Sequence, residues 1–112
     1  MDCIFCKIKK GEIKSDILYE NEDFFVINDI SHMAQKHYLI IPKEHFAYIR
    51  EIDEKRIKII SKIFESMKDL EKILGLEDGY RIVVNQRENA GQTVQHLHFH
   101  ILGGEKLSDK FN

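Results

Sequence analysis

The sequence predicts an α+β fold, in which a five-stranded antiparallel sheet is covered by one long helix and preceded by a short N-terminal helix. Two observations predict it: five short segments have the apolar pattern of strands, and one long segment between the third and fourth has helical periodicity. Because short loops join successive strands in opposite directions, the sheet should be antiparallel. The chain has 112 residues, too few for two hydrophobic cores. We therefore expect residues 1–112 to form a single domain.

The N-terminal third contains a short helical segment and a predicted hairpin. Residues 3–14 carry apolar side chains at roughly helical spacing until Gly11 interrupts the pattern. Residues 17–20 and 24–27 are apolar and flank a polar turn, which predicts two strands of a β-hairpin.

The middle of the chain supplies the third strand and the long helix. Residues 37–41 read as a strand that ends at Pro42, which cannot donate to a ladder. From Asp53 the apolar residues recur at helical spacing, with Asp53 as the expected N-cap and Gly75 as the stop. We interpret this apolar stripe as core packing, not as chemistry. It consists of Ile57, Ile60, Ile63, Phe64, Met67, Leu70 and Leu74.

The fourth and fifth strands are predicted at 80–85 and 95–102, and the fifth contains three alternating histidines. Side chains on a strand point to opposite faces in turn, so His96, His98 and His100 should line one face. The intervening Leu97, Phe99 and Ile101 should then pack into the core.

A row of three imidazoles suits two kinds of chemistry. One is metal binding, as in three-histidine zinc sites with an open fourth position. The other is nucleophilic catalysis, in which one imidazole attacks and its neighbours polarise the electrophile. The preceding loop 86–93 contains Gly91 and many amide and hydroxyl groups, which can hold an anion. This loop favours catalysis, since a metal site would want carboxylates there.

Five segments, taken in order, resemble the histidine triad (HIT) nucleotide-binding family. The segment His96-Leu97-His98-Phe99-His100-Ile101-Leu102 is similar to the family signature, and 3–8, 26–30, 37–45 and 79–85 are similar to its Hint branch. The resemblance implies a HIT-like fold and an adenosine 5′-monophosphoramidase-like hydrolase. Such an enzyme cleaves the phosphorus–nitrogen bond of purine nucleoside 5′-phosphoramidates through a covalent nucleotidyl-histidine.

The resemblance also implies which residues act on the substrate. His98 would be the nucleophile, His100 a donor to the phosphate, and His37 a supporting group beside the triad. Thr93 and Gln92 would lie at the leaving group and the bridging atom, with Asn85 and Gly91 also on the phosphate side. Asp29 would bind the ribose, although without the resemblance a turn-stabilising role is favoured for it. The apolar slot for the purine would contain Ile4, Phe5, Ile8, Leu18 and Ile27.

A separate set of ligands is expected to bind a structural zinc ion. Cys3 and Cys6 form a Cys-x-x-Cys pair, which is the usual half of a structural zinc site, and His45 and His96 would complete a tetrahedron. The same four positions match the zinc-binding subset of Hint-like proteins. The alternative is a pair of reduced cysteines with no metal.

Composition narrows the class of partner. The net charge of −2 gives no electrostatic case for nucleic acid or membrane binding. No apolar run or leader is evident, so a cytoplasmic location is expected. The resemblance implies an AMP-type purine nucleotide as substrate and a homodimer that pairs through the long helix and the fourth strand. His32 is expected in a surface turn.

Three alternative functions remain at this point. One is a hydrolase of dinucleoside polyphosphates of the diadenosine tri- or tetraphosphate kind, as in the Fhit branch. Another is a nucleotide-binding module with incidental activity. The last is a metalloenzyme that places His96, His98 and His100 on one zinc ion.

Overall fold

A five-stranded antiparallel sheet organises the chain, as the sequence predicts. The structure, a computed structural model, describes residues 3–31 and 33–111; His32, predicted in a surface turn, lies outside them. The strand order is β1-β2-β3-β5-β4, and all neighbouring pairs are antiparallel. The strands are β1 (Ile17–Glu20), β2 (Phe24–Asn28), β3 (Lys36–Pro42), β4 (Tyr80–Val83) and β5 (Phe99–Gly103). The helices are α1 (Ile4–Lys9), α2 (Glu54–Glu65) and α3 (Met67–Ile73).

The two faces of the sheet bury different clusters of side chains. On one face, Val26, Ile40 and Ile101 pack with residues of α2 and α3 such as Ile63 and Leu70. The other face buries residues that belong to α1 and to the alternate positions of the strands. They are Phe5, Ile8, Phe25, Ile27, Leu39 and Ile41. The period of two along each strand thus leaves α1 and the helices α2 and α3 on opposite sides of the sheet.

The predicted long helix is divided into α2 and α3 at Ser66. The Ser66 hydroxyl donates to the Lys62 carbonyl oxygen (2.7 Å), and its N–H reaches the carbonyls of both Lys62 and Ile63. Such a serine competes with the helical ladder and bends helices. The predicted ends are confirmed: Asp53 accepts from the Arg56 N–H (2.9 Å), and Gly75 follows α3 with φ 68°.

The fifth strand begins at Phe99, four residues later than predicted, and β4 ends two residues early at Val83. The backbone before β5 pairs with a loop, since the Leu97 N–H donates to the Phe46 carbonyl (2.7 Å). The alternation nevertheless holds, because Leu97 and Ile101 are fully buried in the helix-side core. His96 and His98 therefore precede the strand but keep its side-chain pattern.

Within the part of the chain described, no helix combines the length and apolar character needed to cross a bilayer.

Candidate active site and metal-binding cluster

A hydrogen bond at Nδ1 holds the His98 ring in one orientation, in which Nε2 is the nitrogen that can face a ligand. Its Nδ1–H donates to the carbonyl oxygen of His96 at 2.7 Å, and the side chain is buried. The Phe5 ring packs edge-on against it, with centroids 5.1 Å apart. Because a carbonyl can only accept, Nδ1 carries a proton, and Nε2 is the ring nitrogen left to face a ligand. The ring is therefore oriented as a nucleophilic histidine requires.

A chain of hydrogen bonds fixes the tautomers of His37 and His100. The Met33 N–H donates to His37 Nδ1 (3.0 Å), so His37 carries its proton on Nε2. That Nε2–H lies 2.9 Å from His100 Nδ1 and 3.2 Å from Asp29 Oδ2. His100 then accepts at Nδ1 and carries its own proton on Nε2. The His100 ring lies 5.1 Å from that of His98.

Burial keeps His100 neutral. It lowers the pKa of His100, and the neighbouring His98 and His37 lower it further, while Asp29 opposes them. Although Asp29, His37 and His100 converge closely enough to suggest a metal site, the proton on His37 Nε2 occupies the position that a metal would need. These three residues form a hydrogen-bonded relay instead.

The position of Asp29 is compatible with both roles considered for it, ribose binding and stabilisation of a local turn. Its Oδ1 accepts from the N–H and the hydroxyl of Ser31, both at 2.8 Å, which is a local turn, while Oδ2 faces His37. Burial by itself would raise the pKa of the Asp29 carboxyl. The two Ser31 hydrogen bonds, together with His37 and His100, hold that pKa below its ordinary value. Asp29 is therefore ionised at neutral pH.

The loop 86–95 is anchored by Gln92, whose buried side chain bonds to protein groups. Its Oε1 accepts from the Arg87 N–H (2.7 Å), and its Nε2 donates to the carbonyls of Ala47 (3.0 Å) and Val94 (3.2 Å). The Gln92 side chain thus shapes the loop, whereas the leaving group was predicted as its partner. Thr93 and Gly91 are exposed, as an approaching ligand would require.

Three of the five residues predicted for the purine slot share one cluster. Phe5, Ile8 and Ile27 are buried together on the α1 side of the sheet. Ile4 and Leu18 are 45% and 38% exposed and lie outside that cluster. Asn85 is half-buried just beyond β4.

The structure brings the four predicted zinc ligands together beside this site. His96 Nδ1 lies 3.4 Å from Cys3 Sγ, 3.7 Å from Cys6 Sγ and 3.0 Å from His45 Nδ1. Cys6 Sγ lies 3.3 Å from His45 Nδ1. Around a tetrahedral zinc ion, sulfur and nitrogen ligands are separated by about 3.3–3.8 Å, as follows from bond lengths near 2.3 and 2.05 Å. The donor set and the three sulfur–nitrogen distances fit zinc, while the two imidazole nitrogens lie somewhat closer together than they would as bound ligands.

A hydrogen bond at Nε2 orients the imidazole of His96 so that Nδ1 can act as a metal ligand. Its Nε2–H donates to the Pro42 carbonyl (2.7 Å), which turns the Nδ1 lone pair toward the sulfurs. Burial lowers the pKa of His96 to about 4, so the ring is neutral, as a metal ligand must be. Both cysteines are free thiols.

Sequence reasoning missed three groups in this region. Ser31 is one, and its Asp-x-Ser spacing is a recognisable turn signal. The Met33 N–H and the Pro42 carbonyl are backbone groups, whose roles cannot be predicted from residue type.

A cleft of about 670 Å³ lies beside the C-terminal segment and contains none of the predicted site residues. Lys36, Tyr80, Arg81 and Lys106 are among the residues that line it.

Comparison with known proteins places this histidine site in a family. The model of the HIT domain matches residues 10–107. The chain belongs to the HIT family. A 14 kDa zinc-binding protein of Zea mays is 39% identical over 107 residues, which are 94% of this chain and 84% of that protein.

Solved structures show the same fold. A HIT family hydrolase from Clostridium thermocellum superposes with a TM-score of 0.92 and 45% identity over 99% of this chain and 97% of that one. A histidine triad nucleotide-binding protein from Candida albicans gives a TM-score of 0.79 and 35% identity, over 99% and 87% of the two chains.

Proposed function

We propose that the protein is a nucleotide hydrolase that cleaves the phosphorus–nitrogen bond of purine nucleoside 5′-phosphoramidates. The observation that carries the proposal is the orientation of the buried His98 ring, whose Nδ1–H donates to the His96 carbonyl so that Nε2 is the nitrogen that can face a substrate. A module that only binds nucleotides has no use for an oriented nucleophile. The similarity to two solved HIT family hydrolases, from Clostridium thermocellum and Legionella pneumophila, supports hydrolysis. The similar protein from Candida albicans is named as nucleotide-binding.

In the proposed reaction, His98 Nε2 attacks the α-phosphorus and the phosphorus–nitrogen bond breaks. A covalent nucleotidyl-histidine forms, and the amine leaves with a proton supplied by the Thr93 hydroxyl or relayed through the triad. Water then attacks the phosphorus, releases the nucleoside monophosphate and restores His98. The His100 Nε2–H is the donor for a non-bridging phosphate oxygen, where charge develops in the transition state.

The nucleoside is proposed to bind on the α1 side of the sheet. The ionised Asp29 carboxylate would accept hydrogen bonds from the ribose diol, and Phe5, Ile8 and Ile27 would contact the purine, with Ile4 and Leu18 at the margin. Asn85, Gly91, Gln92 and Thr93 would bound the phosphate. A slot of this kind selects weakly between bases, because apolar contacts carry little discrimination.

Zinc is proposed as a structural ion bound by Cys3, Cys6, His45 and His96. When bound, it would cross-link the α1 region, the loop after β3 and the segment that precedes β5. The name of the Zea mays relative supports this assignment. Free thiols suit a reducing compartment, and we place the protein in the cytoplasm.

A homodimer is proposed on the basis of exposed apolar side chains. Ile57 and Phe64 on α2, which the sequence predicted as core residues, are instead 48% and 51% exposed in the isolated chain. β4 is an edge strand of the sheet, and an uncovered edge invites pairing. Light scattering at micromolar concentration should give twice the monomer mass, and a monomeric mass would contradict the proposal.

The decisive test is to trap the intermediate. The protein is mixed with an AMP amide, quenched in alkali, where phosphohistidine survives, and examined by mass spectrometry for one AMP added at His98. No adduct at any time under rapid quench would indicate direct attack by water. Rates on a diadenosine polyphosphate, measured with the same preparation, separate the proposal from its closest alternative. Tight AMP binding without turnover of either substrate would leave a binding module.

A further inference from the structure

We propose that Tyr48, Arg50 and Arg87 form a subsite for a negatively charged leaving group, so that the preferred phosphoramidates carry a carboxylate or a phosphate on the departing amine. We call these three residues the basic platform. The inference rests on the proposed function, because it names the kind of amine that the site releases.

The backbone of Arg87 is the first observation. Arg87 has φ 71° and ψ −175°, and within the described ranges it is the only residue other than glycine with positive φ. This region is populated almost solely by glycine, and other residues adopt it at a cost that the surrounding structure must offset. Gln92 holds the conformation: its Oε1 accepts from the Arg87 N–H (2.7 Å), and its N–H donates to the Arg87 carbonyl (3.0 Å). A strained residue at the edge of the phosphate loop suggests a role for its side chain.

The positions of the two guanidinium groups are the second observation. The Arg50 and Arg87 guanidinium carbons lie 5.3 and 5.5 Å from the centroid of the Tyr48 ring. Across residues 3–31 and 33–111, neither group makes an ion pair or donates a side-chain hydrogen bond. The Oε1 atom of Glu51, next to Arg50 in the sequence, accepts from the N–H groups of Ala47 (3.3 Å) and Tyr48 (3.0 Å). Two cations beside one ring, neither of them held in an ion pair within the described residues, are available to an anionic ligand.

The platform is rigid, because hydrogen bonds join the segment 47–51 to the loop 86–95. Gln86 Oε1 accepts from the Ile49 N–H (2.8 Å), and the Tyr48 hydroxyl donates to Gln95 Oε1 (2.8 Å). Gln92 Nε2 adds a third bond to the Ala47 carbonyl (3.0 Å). The guanidinium groups therefore start from a fixed base, which lowers the entropic cost of binding.

The position of the basic platform indicates which part of the substrate it contacts. In the proposed function the nucleoside occupies the side of Asp29 and Phe5, and the loop 86–95 bounds the phosphate. The leaving group departs opposite the attacking nitrogen, away from the nucleoside. Arg87 belongs to that loop, and Arg50 belongs to the segment 47–51 that is hydrogen-bonded to it. We therefore assign an anion held by these side chains to the amine, not to the nucleotide.

The test compares AMP phosphoramidates that differ only at the end of the amine. One carries a carboxylate, one a phosphate monoester, and one the neutral amide of the carboxylate compound. We expect kcat/KM for an anionic substrate to exceed that of the neutral one by roughly 10–100-fold at low salt, and the ratio to shrink as salt screens the charges. Of the two anionic substrates, the one with the larger ratio of kcat/KM to that of the neutral substrate identifies the preferred group, carboxylate or phosphate.

The single variants are Arg50→Gln, Arg87→Ala and Arg87→Gly. Two double variants combine Arg50→Gln with either change at Arg87. Each single change should lower the anionic-to-neutral ratio, and a pair should bring it to about 1 as the local charge is removed. Arg87→Gly also relieves the backbone strain and should melt several degrees above Arg87→Ala, which guards against misreading a folding defect. Lys58→Gln removes one exposed charge on α2 and should leave the ratio unchanged.

The outcomes separate the two proposals. Equal rates on anionic and neutral phosphoramidates, or a ratio that survives in the double variant, would overturn the basic platform and leave the hydrolase intact. Failure of the wild-type protein to cleave any phosphoramidate, including the simple AMP amide, would overturn the proposed function and the platform with it.

Discussion

Two histidine clusters, one containing His96 and the other His98 and His100, use imidazole in opposite ways. In the cluster proposed to bind zinc, which consists of Cys3, Cys6, His45 and His96 and which we call the metal-binding cluster, the Nδ1 atoms of the two histidines converge on the two thiols. In the active-site cluster, donors and acceptors alternate from the Met33 N–H through His37 to His100. The comparison teaches that the partner of the second ring nitrogen decides what a histidine can do.

The largest effect should follow from removing the proposed nucleophile. His98→Ala should lower kcat on the order of 10⁴-fold or more, because no other group in the cluster offers a free nitrogen to phosphorus. AMP affinity, measured by calorimetry, should stay nearly unchanged, since Asp29 and the apolar slot are intact. If the His98→Ala protein still turned over substrate, His98 would not be the nucleophile, and the two clusters would have to differ in some other way.

The next effect tests the relay from His37 to His100. His100→Ala should lower kcat by about 10²–10³-fold, the usual cost of losing one donor to a developing oxyanion. His37→Ala should cost less, because His37 acts by fixing the His100 tautomer. Adding His37→Ala to His100→Ala should then change the rate little, and full additivity in this double-mutant cycle would contradict the relay.

A stability change is expected from the metal-binding cluster. Purified protein should contain one zinc ion per chain, and Cys6→Ala, which removes a ligand, should lower the free energy of unfolding by about 3–4 kcal/mol with zinc in excess. The measurements are metal analysis and denaturant unfolding with and without a chelator. Low metal content with normal stability would contradict the zinc proposal. Chelation that abolishes activity without any loss of stability would instead favour the three-histidine metalloenzyme.

The smallest effect concerns the local turn at Asp29. Ser31→Ala removes one of the hydrogen bonds that lower the Asp29 pKa, so that pKa should rise toward its ordinary value. A lowered carboxyl pKa adds stability above the unfolded pKa, which is lost as the pH falls through the folded pKa. The variant should lose about 0.5–1.5 kcal/mol near neutral pH, with the difference shrinking in acid. Carboxyl NMR titration follows the pKa directly, and an unchanged value would show that the hydroxyl contributes nothing and that the backbone N–H of residue 31, His37 and His100 set the pKa.

The sheet was predictable because its signals are periodic in residue type. The alternation through Leu97, Phe99 and Ile101 placed the last strand's core face correctly, and Asp53 and Gly75 marked the helix ends. The division at Ser66 was missed, because the apolar stripe continues through it while the break comes from a hydroxyl that competes for a carbonyl.

Parts of the site were predictable for the same reason. The histidines, cysteines and Asp29 are recognised by type and spacing, and the zinc ligands do converge. The Met33 N–H and the strained φ of Arg87 escaped prediction, since backbone groups and dihedral angles depend on the folded loop around them. The exposure of Ile4 and Leu18 escaped too, because burial of an apolar residue is decided by what packs over it.

The carbonyl of His96 has a consequence for how such chains can diverge. His98 is oriented by a backbone oxygen that every amino acid possesses, whereas the proposed zinc ligand is the His96 imidazole, which faces the Cys3 thiol. A descendant that lost Cys3 and Cys6 could exchange the imidazole at position 96 and still present the same acceptor to His98. The proposed metal-binding role of residue 96 depends on its side chain, and the orientation of His98 depends on its backbone, so natural selection can alter the first without changing the second.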